Sequence, residues 1–309
     1  MTNIFRSAPL EACEFDFGCH TYVLRDDLIH PEISGNKFRK LKYIIGALLA
    51  DHVKGLITYG GPFSNHIYSV ASYADLVGIQ SVGIIRGEED ADNPTIKFAQ
   101  SKGMQLHFVP RHEFKLQHNS LSIGTILNSY PGYEIVPEGG AHQLAMPGLM
   151  ELVDEIENNQ IIPDYIALSA GTGTTAGAIL KRVLDKKWKT KILVISPMKN
   201  AGLPARISDF ADHILAKDQL VYTEEFCGNG YGKVNTPLIQ FMHEFYNKTG
   251  IRLDPIYTGK LVFGLKQLSI TKFFKPDDKL IWIHTGGLQG IDGFNYLMEK
   301  QGDKNRITY

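Results

Sequence analysis

Cysteine is scarce in this chain of 309 residues: Cys13, Cys19 and Cys227 are the only three, with no C-x-x-C pair and no histidines spaced beside them. An odd, scattered set argues against a disulfide framework or a cysteine zinc site and suits a reducing cytoplasm. Excess charge is lacking too. Lysine and arginine number 32 against 33 acids, a net charge of -1, so no global field gathers nucleic acid or an anionic membrane surface. No run approaches the roughly 18 apolar residues of a membrane span. The opening "MTNIFRSAPLEACEF" has no apolar core of signal-peptide length. Metal spacings such as H-E-x-x-H, internal repeats and low-complexity tracts are all missing. These absences leave a cytoplasmic globular protein that works on something small and without a metal.

What is present is a regular alternation. Short β-branched or aromatic runs occur at 21–25, 56–59, 81–85, 105–109, 165–169, 191–196 and 279–285. Longer helical patterns lie between them, such as "NHIYSVASYADLVG" and "TPLIQFMHEFYNKTG", the second stopped by Gly250. The runs do not alternate strictly in polarity, which predicts strands covered on both faces: an α/β protein with open, mostly parallel twisted sheets and crossover helices. At 43% hydrophobic the chain can fill two domains. The turn-rich "PEGGAHQLAMPG" (137–148) is the best joint, dividing the chain into 1–45 with 146–309 and 46–145.

The stretch "SGNKFRKLKYII" places four basic residues between Lys37 and Lys42. It reads as a helix capped by Asn36, with Phe38, Leu41, Ile45 and Leu48 on one buried stripe. Lys37 then falls at the first helical position, where the positive end of the helix dipole disfavours a cation. That field, with Arg39 and Lys40 nearby, predicts a lowered pKa and a neutral amine suited to Schiff-base chemistry. Arg39 and Lys40 read as solvated helix surface. On this stretch alone, an ordinary exposed lysine stays open.

Two strand–loop–helix joints carry further chemistry. In "LSAGTGTTAGAIL" (168–180), Gly171 and Gly173 free the backbone amides to cradle a phosphate, and Thr172, Thr174 and Thr175 add hydroxyls. The same run satisfies G-x-G-x-x-A, but the next strand ends in Ser196-Pro197 and lacks the acidic residue that a dinucleotide ribose needs. Tight strand-to-helix packing is the remaining alternative. In "TYGGPFSNHIYS" (58–69), Ser64 and Asn65 sit at a natural N-cap position, which by itself accounts for both; the functional alternative has them face the crevice where α/β proteins place ligands, and His66 alone reads as structural.

Taken in order, "SGNKFRKL", "FSNH", "PEGG", "SAGTGTTAG", "DPIYTGK" and "IHTGG", with "LRDDL" upstream, resemble the aminocyclopropanecarboxylate deaminase and D-cysteine desulfhydrase family of pyridoxal-phosphate enzymes. That family has the tryptophan-synthase-β-like fold, fold type II, with a large and a small α/β domain, and usually forms homodimers. The resemblance implies pyridoxal 5'-phosphate as cofactor, with Lys37 as its covalent partner, Asn65 on its phenolic oxygen and residues 171–175 on its phosphate. It implies Ser64, Tyr231 and Tyr257 on the side of a small amino-acid substrate.

Two positions divide the family's activities. The deaminases carry Glu in "YEGK" and Leu in "HLGG", where this chain has Thr258 and Thr285, as the desulfhydrases do. A carboxylate at the cofactor's ring nitrogen suits cyclopropane opening. A neutral hydroxyl suffices for α,β-elimination, in which a thiolate leaving group shares the electronic load. The expectation is therefore elimination of the D-cysteine desulfhydrase kind. The alternatives are deamination of 1-aminocyclopropane-1-carboxylate and a non-catalytic binding homologue. Phe63 departs from the Gln usual in the family at this position, which opens the substrate side to a bulkier or more apolar amino acid.

Overall fold

A computed structural model describes residues 6–212, 218–228, 230 and 232–309. By contacts the chain divides into two compact units, residues 1–36 with 146–309, and residues 37–145. The first division falls inside the helix Gly35–Ala50, where the sequence reading set it at 45/46.

The first unit is built on a six-stranded sheet of β1 (Leu10–Ala12), β2 (His20–Leu24), β7 (Tyr165–Ser169), β8 (Lys191–Ile195), β9 (Leu220–Thr223) and β10 (Lys279–Ile283). Their order across the sheet is β1-β2-β10-β7-β8-β9. Only the β1–β2 pair is antiparallel. The central strands are near-continuous apolar runs because both faces are covered: Leu280, Ile281, Trp282 and Ile283 are all fully buried. Trp282 packs in a core with Phe241, Phe245, Leu253 and Leu265. Each such side chain contributes roughly 1.5–3 kcal/mol by leaving water.

The second unit holds a four-stranded, all-parallel sheet of β3 (Gly55–Gly60), β4 (Gln80–Arg86), β5 (Gln105–Val109) and β6 (Tyr133–Val136), in the order β5-β4-β3-β6. Its separate core gathers Ile57, Val82, Ile84, Val109, Phe114 and Ile123. The helix Asn65–Val77 crosses from β3 to β4, as Thr174–Asp185 does from β7 to β8 in the other unit. Among the described residues no helix is long and apolar enough to cross a membrane, and no group of three or more His, Cys, Asp or Glu is placed to hold a metal.

The helix Gly35–Ala50 differs from the sequence reading in three ways. It begins at Gly35, so Asn36 is inside it and Lys37 is its third residue rather than its first. Its buried stripe is Leu41, Ile44 and Ile45, with Phe38 and Leu48 only partly covered. Arg39 and Lys40 are not solvated: each is about as buried as the core leucines, at 2% exposure.

Candidate active site

In the second unit the lysines of this helix meet the turn that follows β6. Gly139 and Gly140 both adopt left-handed backbone (φ 69° and 66°), a conformation that Cβ-bearing residues avoid. The turn aims the Gly139 carbonyl at two amines. Lys40 Nζ donates to it at 2.9 Å, and Lys37 Nζ at the longer distance of 3.4 Å. Burial pulls the Lys37 ammonium down to about 8, and the charge of Glu138 pulls it part of the way back. Burial also pushes Lys40 well down, helped by the charge of Lys37. Desolvation, rather than the dipole and the flanking basic residues, is thus the main cause of the Lys37 shift.

The helix Asn65–Val77 is positioned by its cap. Ser64 Oγ accepts the amides of His66 and Ile67, at 3.2 and 3.3 Å, which makes Ser64 the N-cap and Asn65 the first helical residue. The Ser64 proton stays available for another partner. His66 is buried, and its Nε2 lies 2.8 Å from Thr58 Oγ1, whose single proton goes to the Val136 carbonyl. Thr58 therefore accepts from Nε2–H, leaving His66 Nδ1 as a buried acceptor without a hydrogen-bond partner. Burial first, then the charges of Lys37 and Lys40, hold His66 well below the ordinary imidazole range and hence neutral.

The first unit supplies the glycine-rich loop. Gly173, at φ 89°, turns the chain from β7 into the helix Thr174–Asp185, and no side chain caps that helix. Thr172 Oγ1 lies 3.1 Å from Thr174 Oγ1, and Asn36 Nδ2 donates to Thr175 Oγ1 at 3.2 Å. Asn36 thus buttresses the loop instead of capping its own helix. A Cβ on Gly171 would sit 3.2 Å from the Tyr257 hydroxyl, so the absent side chain leaves room beside that phenol. An uncapped helix start edged by hydroxyls is a donor set that fits a phosphate.

Tyr257 and Thr258 are set by Asp254. Its carboxylate accepts the amides of Ile256, Tyr257 and Thr258 at 2.8–2.9 Å and the Thr258 hydroxyl at 2.6 Å. Thr258 Oγ1 in turn accepts the Asp254 amide at 2.8 Å. Fully buried, Thr258 has committed its proton to Asp254 and can offer any further group only a lone pair. Thr285 is 8% exposed, and its carbonyl accepts the Asn36 amide at 3.3 Å. A Cβ on Gly35 would stand 2.0 Å from that carbonyl oxygen, so glycine alone lets the "SGN" and "HTGG" turns interlock.

The structure therefore joins Lys37 with Gly139 and Ser64 with His66. It also joins Gly171 with Tyr257, Asn36 with Thr175, and Thr285 with Gly35. Tyr231 lies outside the described residues. Sequence reasoning did not single out the Lys40–Gly139 contact or the Asp254 anchor of Tyr257 and Thr258; it read His66 as structural, and His66 is buried against Thr58.

A helix start whose donors fit a phosphate, in one unit, and a lysine amine of lowered pKa, in the other, are each of a kind that a pyridoxal-phosphate enzyme needs. Residues 2–286 match the family model described as pyridoxal-phosphate dependent enzyme. The Arabidopsis thaliana protein named bifunctional D-cysteine desulfhydrase/1-aminocyclopropane-1-carboxylate deaminase, mitochondrial, is 26% identical over 318 residues, covering 94% of this chain and 78% of that one. The Klebsiella pneumoniae D-cysteine desulfhydrase is 25% identical over 296 residues, covering 90% of each. A crystal structure described as an ACC deaminase homologue superposes with a TM-score of 0.82 at 24% identity, covering 97% of this chain and 94% of that one. The chain belongs to the pyridoxal-phosphate dependent enzyme family. Its cofactor is pyridoxal phosphate, and the dinucleotide alternative for the 171–176 loop falls away.

Proposed function

We propose that the protein catalyses α,β-elimination from a small β-substituted amino acid, above all D-cysteine, releasing a 2-oxo acid, ammonia and a thiol or sulfide. The observation that carries this reading is the condition of Lys37: an amine pulled to about 8 and tethered by a single 3.4 Å contact. Such a group bonds covalently with an aldehyde, and once released it takes a proton from a substrate Cα near neutral pH. Pyridoxal phosphate, when bound, supplies an electron sink for the charge that develops at that carbon. Lys37 would hold it covalently, Asn65 would bind its phenolic oxygen, and residues 171–175 would hold its phosphate through loop amides and threonine hydroxyls. Ser64 retains a proton to donate toward the substrate, and Tyr257 presents a phenol beside Gly171. Thr258 and Thr285, where the deaminases carry Glu and Leu, favour elimination with a good leaving group.

Release of thiol and 2-oxo acid from a panel of D- and L-β-substituted amino acids tests the proposal. Silence across the panel, with the cofactor's absorption normal, would overturn it. One observation favours a second reading. Because Thr258 has given its proton to Asp254, a partner meeting its remaining lone pair must itself carry a proton, which suits a protonated ring nitrogen and so deamination of 1-aminocyclopropane-1-carboxylate. Ammonia release from that compound at a rate matching any desulfhydration would establish it. Cytoplasmic location and a homodimer belong to the same proposal, and sedimentation of the purified protein checks the latter.

A further inference from the structure

Lys260 is 1% exposed, yet its Nζ donates to three backbone carbonyls: Pro197 at 2.9 Å, Cys227 at 2.8 Å and Gly230 at 2.9 Å. A carbonyl can only accept, and a neutral amine has two protons to give. Three short contacts therefore require the ammonium form, with every N–H used. The three acceptors come from two separate pieces of chain. Pro197 follows β8, while Cys227 and Gly230 follow β9. Lys260 itself stands one turn into the helix that Tyr257 caps. That helix is also pressed close, since a Cβ on Gly264 would lie 2.8 Å from both Ile195 and Phe226. Gly230 directly precedes Tyr231 in the chain.

We propose that Lys260 is a positioning residue: a fixed internal cation that holds Cys227, Gly230 and the Pro197 turn onto the helix start bearing Tyr257, and so sets the substrate side of the site. The proposal rests on the reading that Tyr231 and Tyr257 line that side. Three carbonyls aimed at one buried point repel one another unless a cation stands between them. Removing the charge leaves each unsatisfied and releases it. Lys37 and the 171–175 loop are not part of this arrangement, so cofactor capture should survive its loss.

The test uses holoenzyme with Lys260→Met and Lys260→Ala. In both, the visible absorption of lysine-bound pyridoxal phosphate is expected to remain, while amide hydrogen exchange across 226–232 quickens. Turnover should fall by about 10²-fold, the scale of a catalytic group displaced by about an ångström. Adding n-butylammonium to Lys260→Ala should restore at least a tenth of wild-type turnover and slow the exchange again, whereas tetramethylammonium, which has no N–H, should do neither. Unchanged turnover and exchange in Lys260→Met would overturn the proposal. So would lost turnover with unchanged exchange and no rescue by butylammonium. Should both variants fail to fold, NMR of ¹⁵N-lysine-labelled wild type decides: a Lys260 NH₃⁺ signal protected from solvent exchange is expected, and its absence would overturn the assignment. Exchange and amine rescue of exchange do not depend on the substrate, so a silent elimination panel would leave this proposal standing on its own readout.

Discussion

Lys37 and Lys260, one in each unit, are held in opposite ways: Lys260 is fully buried, and Lys37 is partly covered with its amine desolvated. Lys260 has three carbonyl partners within 2.9 Å. Lys37 has one at 3.4 Å and shares it with Lys40. A buried ammonium with all its donors used is a structural cation. A buried amine short of acceptors is pushed toward neutrality and becomes a nucleophile and base. Burial alone does not distinguish the two roles; the supply of acceptors does.

The largest expected effect breaks the comparison at Lys37. Lys37→Ala should abolish the visible absorption of lysine-bound pyridoxal phosphate and lower turnover by at least about 10²–10⁴-fold, the worth of a positioned base. Lys260→Met should leave that absorption intact. Equal absorption in the two variants would erase the distinction.

Next is Asp254, which fixes the start of the helix bearing Tyr257 and Lys260. Asp254→Ala leaves three amides and the Thr258 hydroxyl without their acceptor, and should cost about 1–3 kcal/mol of stability in urea unfolding. No loss would mean that solvent reaches these groups.

The pH dependence sharpens the contrast. Capture of pyridoxal phosphate by the cofactor-free enzyme needs a neutral Lys37, whose pKa is lowered from 10.5 to about 8. The capture rate, followed by stopped-flow absorbance, should rise about tenfold per pH unit below that point and level off above it. An inflection near the ordinary lysine value would refute the assignment. The smallest effect is expected from Lys40→Met. With its competitor gone, the Lys37 ammonium has Gly139 to itself, and the inflection should move upward. An unmoved inflection would leave desolvation as the sole cause.

Of the seven legible strands, β3, β4, β7, β8 and β10 have apolar runs buried on both faces. The strand β5, half-buried at a sheet edge, was legible from its apolar and aromatic run alone. The three that were missed, β1 (Leu10–Ala12), β6 (Tyr133–Val136) and β9 (Leu220–Thr223), lie at sheet edges. They are short and carry mixed burial, so they present no continuous apolar run. Local geometry was legible where a turn needs a rare pattern, as in the glycine-rich loop and the Ser64 cap. It was misread at Arg39 and Lys40, where charge was taken for exposure. It was missed at Asp254, whose part as the anchor of Tyr257 and Thr258 shows only once the turn is folded.

By itself the sequence determined the parallel α/β architecture and the glycine-turned helix start after β7, since hydrophobic period and glycine conformational freedom are local properties. Only the tertiary structure decided which lysine meets three carbonyls and which meets one at 3.4 Å. The Gly139 carbonyl is 102 residues from Lys37, and those of Pro197, Cys227 and Gly230 are 63, 33 and 30 residues from Lys260. A hydrogen-bond acceptor that far along the chain leaves no mark beside the donor it serves.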